Sequence, residues 1–374
     1  MKTKTACILV TLTAFFLCNF ARAAVEVIGT SSKGNPGLQS INVISFAPGG
    51  ILLVGDGAAA QVVAIDTNDK VPTPSRSKPI TDFDKQLAGH LGTTPEGIEI
   101  IDLAVNPASG NIYVALRKQD DKRFLIVRVD AANQIREVEL DDVRFARVKL
   151  AAGDVQVSLI TDVAWADDRL VAAGRGNETF ASKIFTIAAP LQHDATSNFY
   201  SAETYHVQHG RWETKAPMSV LLPMVEDGQT YVVGAFSCTP VVKYPISSLQ
   251  PGAKVKGTSV LELGSGNRPI DMFIYEKDGK PFVLTNTFRF HHAKRPMGPS
   301  PYFTVKFEQG ILSEKEAVNE KALLRLSDFK PATDRVQVVD AYHGVMQMDS
   351  LNNSHAVVLR QVETGVQLEI LPLP

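Results

Sequence analysis

One pattern recurs along the chain and restricts its fold more than any other feature: a short apolar strand, a turn rich in Gly, Asp, Asn or Pro, and a second β-branched strand. Residues 41–46 lead through Ala47-Pro48-Gly49-Gly50 into Ile51-Leu52-Leu53-Val54. Ile101-Asp102-Leu103-Ala104-Val105 leads through Asn106-Pro107-Ala108-Ser109-Gly110 into Ile112-Tyr113-Val114-Ala115. Residues 160–165 lead through Asp167-Asp168 into Leu170-Val171-Ala172-Ala173, and residues 270–275 lead through Lys277-Asp278-Gly279-Lys280 into Phe282-Val283-Leu284. Weaker copies start at Ser219 and Val345 and are followed by Tyr231-Val232-Val233 and Ala356-Val357-Val358-Leu359. Gly, Asn and Asp tolerate positive φ, so each copy reads as a β-hairpin.

The starts are about 60 residues apart, with one longer unit, a period that signals a propeller or another array. The fold class is therefore all-β, and six starts predict a six-bladed β-propeller. Seven blades of about 50 residues are the runner-up, with Asn286 to Asp340 as the place for the seventh. Each hairpin is followed by room for two more strands, such as residues 124–129 and 136–140 of the second unit. Four antiparallel strands make a propeller blade, whose first strand lines the axis. An open ring would leave free sheet edges. The sequence therefore predicts that Val25-Glu26-Val27-Ile28 closes the ring as the outer strand of the last blade, beside residues 366–371. A β-sandwich or a two-domain β protein is the alternative; the long period and the lack of a helical run favour the ring.

Phe46-Ala47-Pro48-Gly49-Gly50-Ile51-Leu52-Leu53-Val54-Gly55-Asp56, Ala64-Ile65-Asp66, Asp102-Leu103-Ala104-Val105-Asn106-Pro107 and Gly110-Asn111-Ile112-Tyr113-Val114 resemble the blade phrases of secreted bacterial propellers, in flavour the YncE-like and NHL-like groups. The resemblance covers the hairpins of the first three blades well and the rest loosely. It implies an architecture and no activity, because such propellers serve as enzymes, ligand binders and assembly surfaces. No catalytic motif of those groups matches, so no catalytic residue is carried over.

The amino terminus has the three-part layout of a secretory signal: Lys2 and Lys4, an apolar run from Ala6 to Phe20, and Ala21-Arg22-Ala23. The run is short for a membrane span, which needs about 20 apolar residues. Residues 1–23 are read as a signal peptide cleaved after Ala23 or Ala24, and residues 24–374 as a single propeller domain, periplasmic or secreted. Cleavage removes Cys7 and Cys18 and leaves Cys238 as the one thiol, so the mature domain must be held by its own core. With 38 basic against 40 acidic residues and no polybasic run, a nucleic-acid partner is excluded, and so is an electrostatically held membrane surface.

Three units place an acid just ahead of the inner apolar run: Asp102, Asp162 and Asp271. Carboxylates converging on one axis can bind a cation or a hydroxyl-rich ligand. Equally, each can bond the backbone of its own turn or of the neighbouring blade, as buried polar groups usually do. Arg268 is delivered to the channel mouth by Gly264-Ser265-Gly266-Asn267, where it can clamp a carboxylate or phosphate or pair with Asp271. The histidines are clustered in three segments: His206 and His209, His291 and His292, and His343 just before the last inner strand. Neutral imidazoles from different loops can hold a divalent metal, although His-x-x-His outside a helix has no fixed geometry. Loop histidines bonded to backbone are the plainer account. Cys238 lies in a turn and reads as a small buried apolar residue. Lys294-Arg295-Pro296-Met297-Gly298-Pro299-Ser300-Pro301 reads as an extended connection over one face.

Three functional readings follow. In the first, an exported propeller binds a small molecule or a protein partner at one face of its channel, with Asp102, Asp162, Arg268, Asp271 and His343 as the candidate binding residues. The second is a metal-dependent hydrolase or oxidoreductase with His206, His209, His291, His292 and His343 as ligands and Asp271 or Glu213 as acid or base. The third is a structural role in an envelope assembly. No catalytic residue is assigned.

Overall fold

The strand Ile51–Asp56 is buried at every position, because alternate side chains feed different layers. Leu52 and Val54 pack on one side, and Ile51 and Leu53 on the other. A strand buried on both faces belongs to a sheet enclosed between two others, as a blade is. The computed structural model describes residues 25–74, 78–151, 153–237, 240–264, 266–296, 298–316, 326–327, 330–331 and 335–374. The expected export segment with Cys7 and Cys18, and also Cys238, lie outside the described residues. Among the described residues no helix is long and apolar enough to cross a membrane.

All six sequence hairpins form, and each is the inner part of one blade of a six-bladed propeller. The inner strands are Val43–Ala47, Ile98–Val105, Val157–Ala166, Met218–Glu226, Asn267–Lys277 and Val345–Asn352, which number the blades from first to sixth. Turn chemistry acts as expected: Asp227-Gly228 and Asp278-Gly279 both take positive φ (50° and 74°, 54° and 71°), the combination that a two-residue hairpin favours. The stretch considered for a seventh blade supplies Tyr302–Glu308 and Val336–Val338, which are outer strands of the fifth.

Six apolar layers separate the blades, and they give the order around the axis. The first blade packs on the second through Leu52, Val54, Ala104 and Tyr113, and on the third through Leu53, Val62, Val163 and Phe185. The layers then join third to fourth, fourth to fifth and fifth to sixth. The last joins sixth to second, with Val357, Leu359 and Leu368 against Leu103, Val114 and Val127. The ring order is therefore second, first, third, fourth, fifth, sixth. The chain steps one way from the first blade to the second and then returns across the first to reach the third. Val143–Lys149 makes that return and becomes the fourth strand of the first blade, paired antiparallel with Gln61–Asp66.

Ring closure departs from the sequence expectation. The amino-terminal segment is not in the last blade. Ser32–Gly34 pairs with Val143–Lys149 at the outer edge of the first, and Ile28 bridges Leu191. Gly365–Pro372, the third strand of the sixth blade, is instead met by Ile80, whose N–H and C=O both bond Leu368 at 2.9 Å. Beside it lies the one α-helix among the described residues, Phe83–Leu91, which the sequence reading missed. Phe83 and Leu87, one turn apart, point into the layer between second and sixth blades, and Gly92 at φ 64° ends the helix. A free sheet edge at the seam is thus covered by the connection between the first and second blades.

Candidate functional site

A cavity of about 720 Å³ opens at the end of the channel where the inner strands begin, and every blade contributes to its wall. In a hairpin the start of one strand lies beside the end of the next, so this rim also collects residues from the ends of the second strands. Arg117, Arg175 and Phe290 arrive this way, beside Arg268 and Leu159 from inner strands.

Deeper in the cavity lie four aspartates. Asp102 Oδ2 accepts the N–H of Ile44 at 2.7 Å and its Oδ1 that of Leu103 at 2.8 Å. Asp162 accepts from Leu221 at 2.6 Å and Val163 at 2.7 Å. Asp271 accepts from Met348 at 2.8 Å. Asp349 accepts from Val105 at 2.8 Å and Ser350 at 2.7 Å. Each carboxylate therefore reaches from its own inner strand to the backbone of the next blade, always in the same sense around the ring. Four of the six junctions are stapled in this manner. At the junction of first and third blades a side chain instead seats against a bare glycine: a Cβ on Gly55 would lie 2.9 Å from Ile160 Cγ2.

These carboxyls are hard to ionise. Burial pushes Asp102 up to about 7 against the N–H bonds it accepts, and the charge of Asp349 adds to the rise. Burial raises Asp349 to about 6. Asp162 and Asp271 are raised well above the carboxylate range, first by burial and further by the other aspartates. The floor of the cavity therefore has little negative charge in acid and begins to gain it as the pH rises through 6 and 7.

The rim is basic and partly apolar. The Arg268 guanidinium lies 6.0 Å from the ring centre of Phe288 and 5.8 Å from that of Phe290. It makes no ion pair with Asp271, and among the described residues neither Arg268 nor Arg175 has an acidic partner. Arg117 lies 3.7 Å from Glu99 and over the ring of Phe124. Phe290 is 53% exposed and Leu159 38%, two of the few large apolar side chains open to solvent.

The histidines are placed elsewhere. His206 is fully buried in a small hairpin, Tyr205–His206 with Arg211–Trp212. Its ring lies tilted against that of His209, with centroids 4.1 Å apart, and is 3.5 Å from Glu262 and 3.9 Å from Glu213. Burial, with His206 alongside, lowers the pKa of His209. Burial also opposes ionisation of Glu213, but the N–H groups of Ala216, Lys215 and Thr214 outweigh it and lower its pKa. His291 and His292 follow Phe290 in the turn beyond Lys280–Arg289, where His291 abuts Gly266. His343 lies 3.4 Å from Asp340 and is not on the cavity wall. Among the described residues no three His, Cys, Asp or Glu side chains are arranged to hold a metal ion.

The structure thus gathers Asp102, Asp162, Asp271 and Arg268 at one cavity and leaves the histidines outside it. Sequence reasoning missed Asp349, Arg117, Arg175 and Phe290. Asp349 follows Met348 inside the inner strand, not ahead of its apolar run. The arginines carry the signal of a basic residue closing a second strand, which topology puts on the same rim.

No family model matches the chain, and no curated protein matches it. Solved structures that resemble it include the PQQ-bound form of an aldose sugar dehydrogenase from Streptomyces coelicolor, at 12% identity and TM-score 0.33, over 93% of this chain and 97% of that one. Dihydro-heme d1 dehydrogenase NirN is similar at 11% identity and TM-score 0.31, over 88% of this chain and 57% of that one. A bifunctional GH43-CE protein from Bacteroides eggerthii is similar at 10% identity and TM-score 0.40, over 80% and 34%. The ring itself rests on the strand pairing and the apolar layers described above.

Proposed function

We propose that the chain is an exported propeller of the secreted bacterial kind its hairpin phrases resemble, YncE-like or NHL-like, and that it binds a small molecule at the basic end of its channel. One observation supports this most: a cavity of about 720 Å³, within the usual range for ligand pockets, is walled by all six blades and combines two arginines without an acidic partner among the described residues, exposed apolar side chains and hard-to-ionise carboxyls. The lysines, apolar run and Ala21-Arg22-Ala23 of the amino terminus support export.

Ser45 faces the cavity, and Ser45→Trp fills part of it. A small-molecule panel is screened by shifts in Tm on both proteins. Ligands of the channel raise Tm in the wild type and not in the filled variant. A panel that shifts neither, or both equally, counts against the channel as the binding site. Export is checked by the mass of the mature chain, expected to start at Ala24 or Val25.

A further inference from the structure

We infer that the molecule bound at the channel end is an organic anion: an apolar body with a carboxylate, phosphate or sulfonate group held at the rim. This deepens the ligand-binding reading above and rests on it.

Three arginines reach the rim, from the second, third and fifth blades. In the ring order established above these are alternate blades, so the guanidinium groups are distributed around the opening. Arg175 and Arg268 have no acidic partner among the described residues, and the one acidic neighbour on the rim, Glu99, faces Arg117. The rim therefore keeps uncompensated positive charge in a protein whose overall charge is near neutral. Its origin is local, and so is its target.

The floor fixes the orientation. The burial that disfavours negative charge on these carboxyls disfavours an anionic group placed among them in the same way, whereas the same group at the rim meets the guanidinium fork. The apolar part has a surface prepared for it. Phe290 and Leu159 are exposed on the cavity wall, and Arg268 is held against the Phe290 ring by a cation–π contact. An arginine seated on an aromatic ring offers its edge to an anion and leaves the adjacent apolar surface to the body that bears the anion.

The test compares two dyes of nearly the same body, anilinonaphthalene sulfonate and the uncharged phenylnaphthylamine, titrated against the purified folded chain with fluorescence as readout. The sulfonate is expected to bind about tenfold or more tighter than the amine, the size of one charge-assisted contact. Arg268→Gln and Arg175→Gln, two variants at exposed positions whose melting curves verify folding, are each expected to lower sulfonate affinity about fivefold or more and leave the amine unchanged. Equal affinity for both dyes, or sulfonate affinity unchanged in both variants, overturns the anion assignment. If Phe290→Ala and Ser45→Trp still weaken both dyes in that case, the channel remains a binding site for neutral apolar molecules. If they weaken neither, the channel reading falls as well.

Discussion

Asp349, on the last inner strand, accepts the backbone N–H of Val105 at 2.8 Å and so joins residues 244 positions apart across the seam of the ring. Gln347 adds a second contact there, donating to the carbonyl of Ile101 at 3.1 Å. The seam is thus closed on the inside by Asp349 and Gln347 and on the outside by Ile80 against Leu368. Neither closure needs a shared strand.

Asp349→Ala is expected to leave the N–H groups of Val105 and Ser350 without their acceptor. That costs about 1–3 kcal/mol for buried donors and is read as a lower urea midpoint. Asp349→Asn keeps a carbonyl oxygen that can accept one of the two bonds, so its loss is expected to be smaller. If the two variants are equally stable, the hydrogen bond is not what the carboxylate contributes.

The pH dependence of stability follows from the sign of the pKa shifts. Asp102 at about 7 and Asp349 at about 6 are raised above an unfolded value near 3.8. Between those limits the folded chain holds protons that the unfolded chain has released. Stability is therefore fully present below about pH 4 and lost as the pH rises through 6 and 7, by an amount on the order of a few kcal/mol. Tm is expected to be higher at pH 5 than at pH 8. Asp349→Asn removes the charge that helps raise Asp102, so carboxyl NMR is expected to place the Asp102 midpoint below its wild-type value. An unmoved midpoint would sink the coupling between the two blades.

A second polar hub ties the first two blades together where their inner strands end. Asp69 accepts from Ser109 at 2.8 Å, Tyr113 at 3.0 Å and the Asn111 amide at 3.0 and 3.1 Å, while its backbone carbonyl accepts from Asn106 at 2.7 Å. Burial opposes its ionisation, but the bonds from Asn111, Ser109, Tyr113 and Asn106 prevail and lower its pKa. Its stabilising effect is therefore present at neutral pH and lost as the pH falls through the carboxylate range, opposite in sign to that of the channel aspartates. Asp69→Ala is expected to lower stability by about 2–3 kcal/mol near neutral pH, and by less at pH 3. Equal losses at both would show that the charged form is not what the hub uses.

The hairpins were legible because each carries its own evidence: apolar alternation on both sides of a turn such as Asp278-Gly279, whose residues accept positive φ. The Asn106-to-Asn111 phrase was legible as a turn, but its grip on Asp69 was not, since residues about 40 apart carry no mark of contact. Ring order was hidden for the same reason. Val143–Lys149 is plainly a strand, yet nothing in it names Gln61–Asp66 as its neighbour. Ile80 is one apolar residue among polar ones and gives no periodicity at all. The helix was missed because Phe83, Leu87 and Leu91 make only a short stripe. At the site, the acids at Asp102, Asp162 and Asp271 were found by position within the repeat, and their bonds to neighbouring blades match the plainer of the two roles weighed for them. The histidines were grouped by composition, which fixes chemistry but not distance.

The buried histidine at the outer edge of the fourth blade supports one more expectation. Both nitrogens of His206 and Oε2 of Glu262 are enclosed without a hydrogen bond among the described residues, and Nε2 and Oε2 are 3.5 Å apart. The pair is close enough to interact but lacks the geometry of a strong bond, and Glu213 and His209 lie beside the same imidazole. Glu262→Met alone leaves the imidazole without its nearest acidic neighbour, and His206→Leu alone leaves a carboxylate against an apolar wall. Each is expected to cost about 2–4 kcal/mol. The double variant replaces both polar groups by apolar ones of similar size and is expected to be less destabilised than the sum by about 1–3 kcal/mol. Urea denaturation of the four proteins measures that difference. Strict additivity would mean that the two side chains are neighbours without being partners, and the small hairpin would then be held by other contacts, such as those of Tyr205 and Thr204 with Ser259.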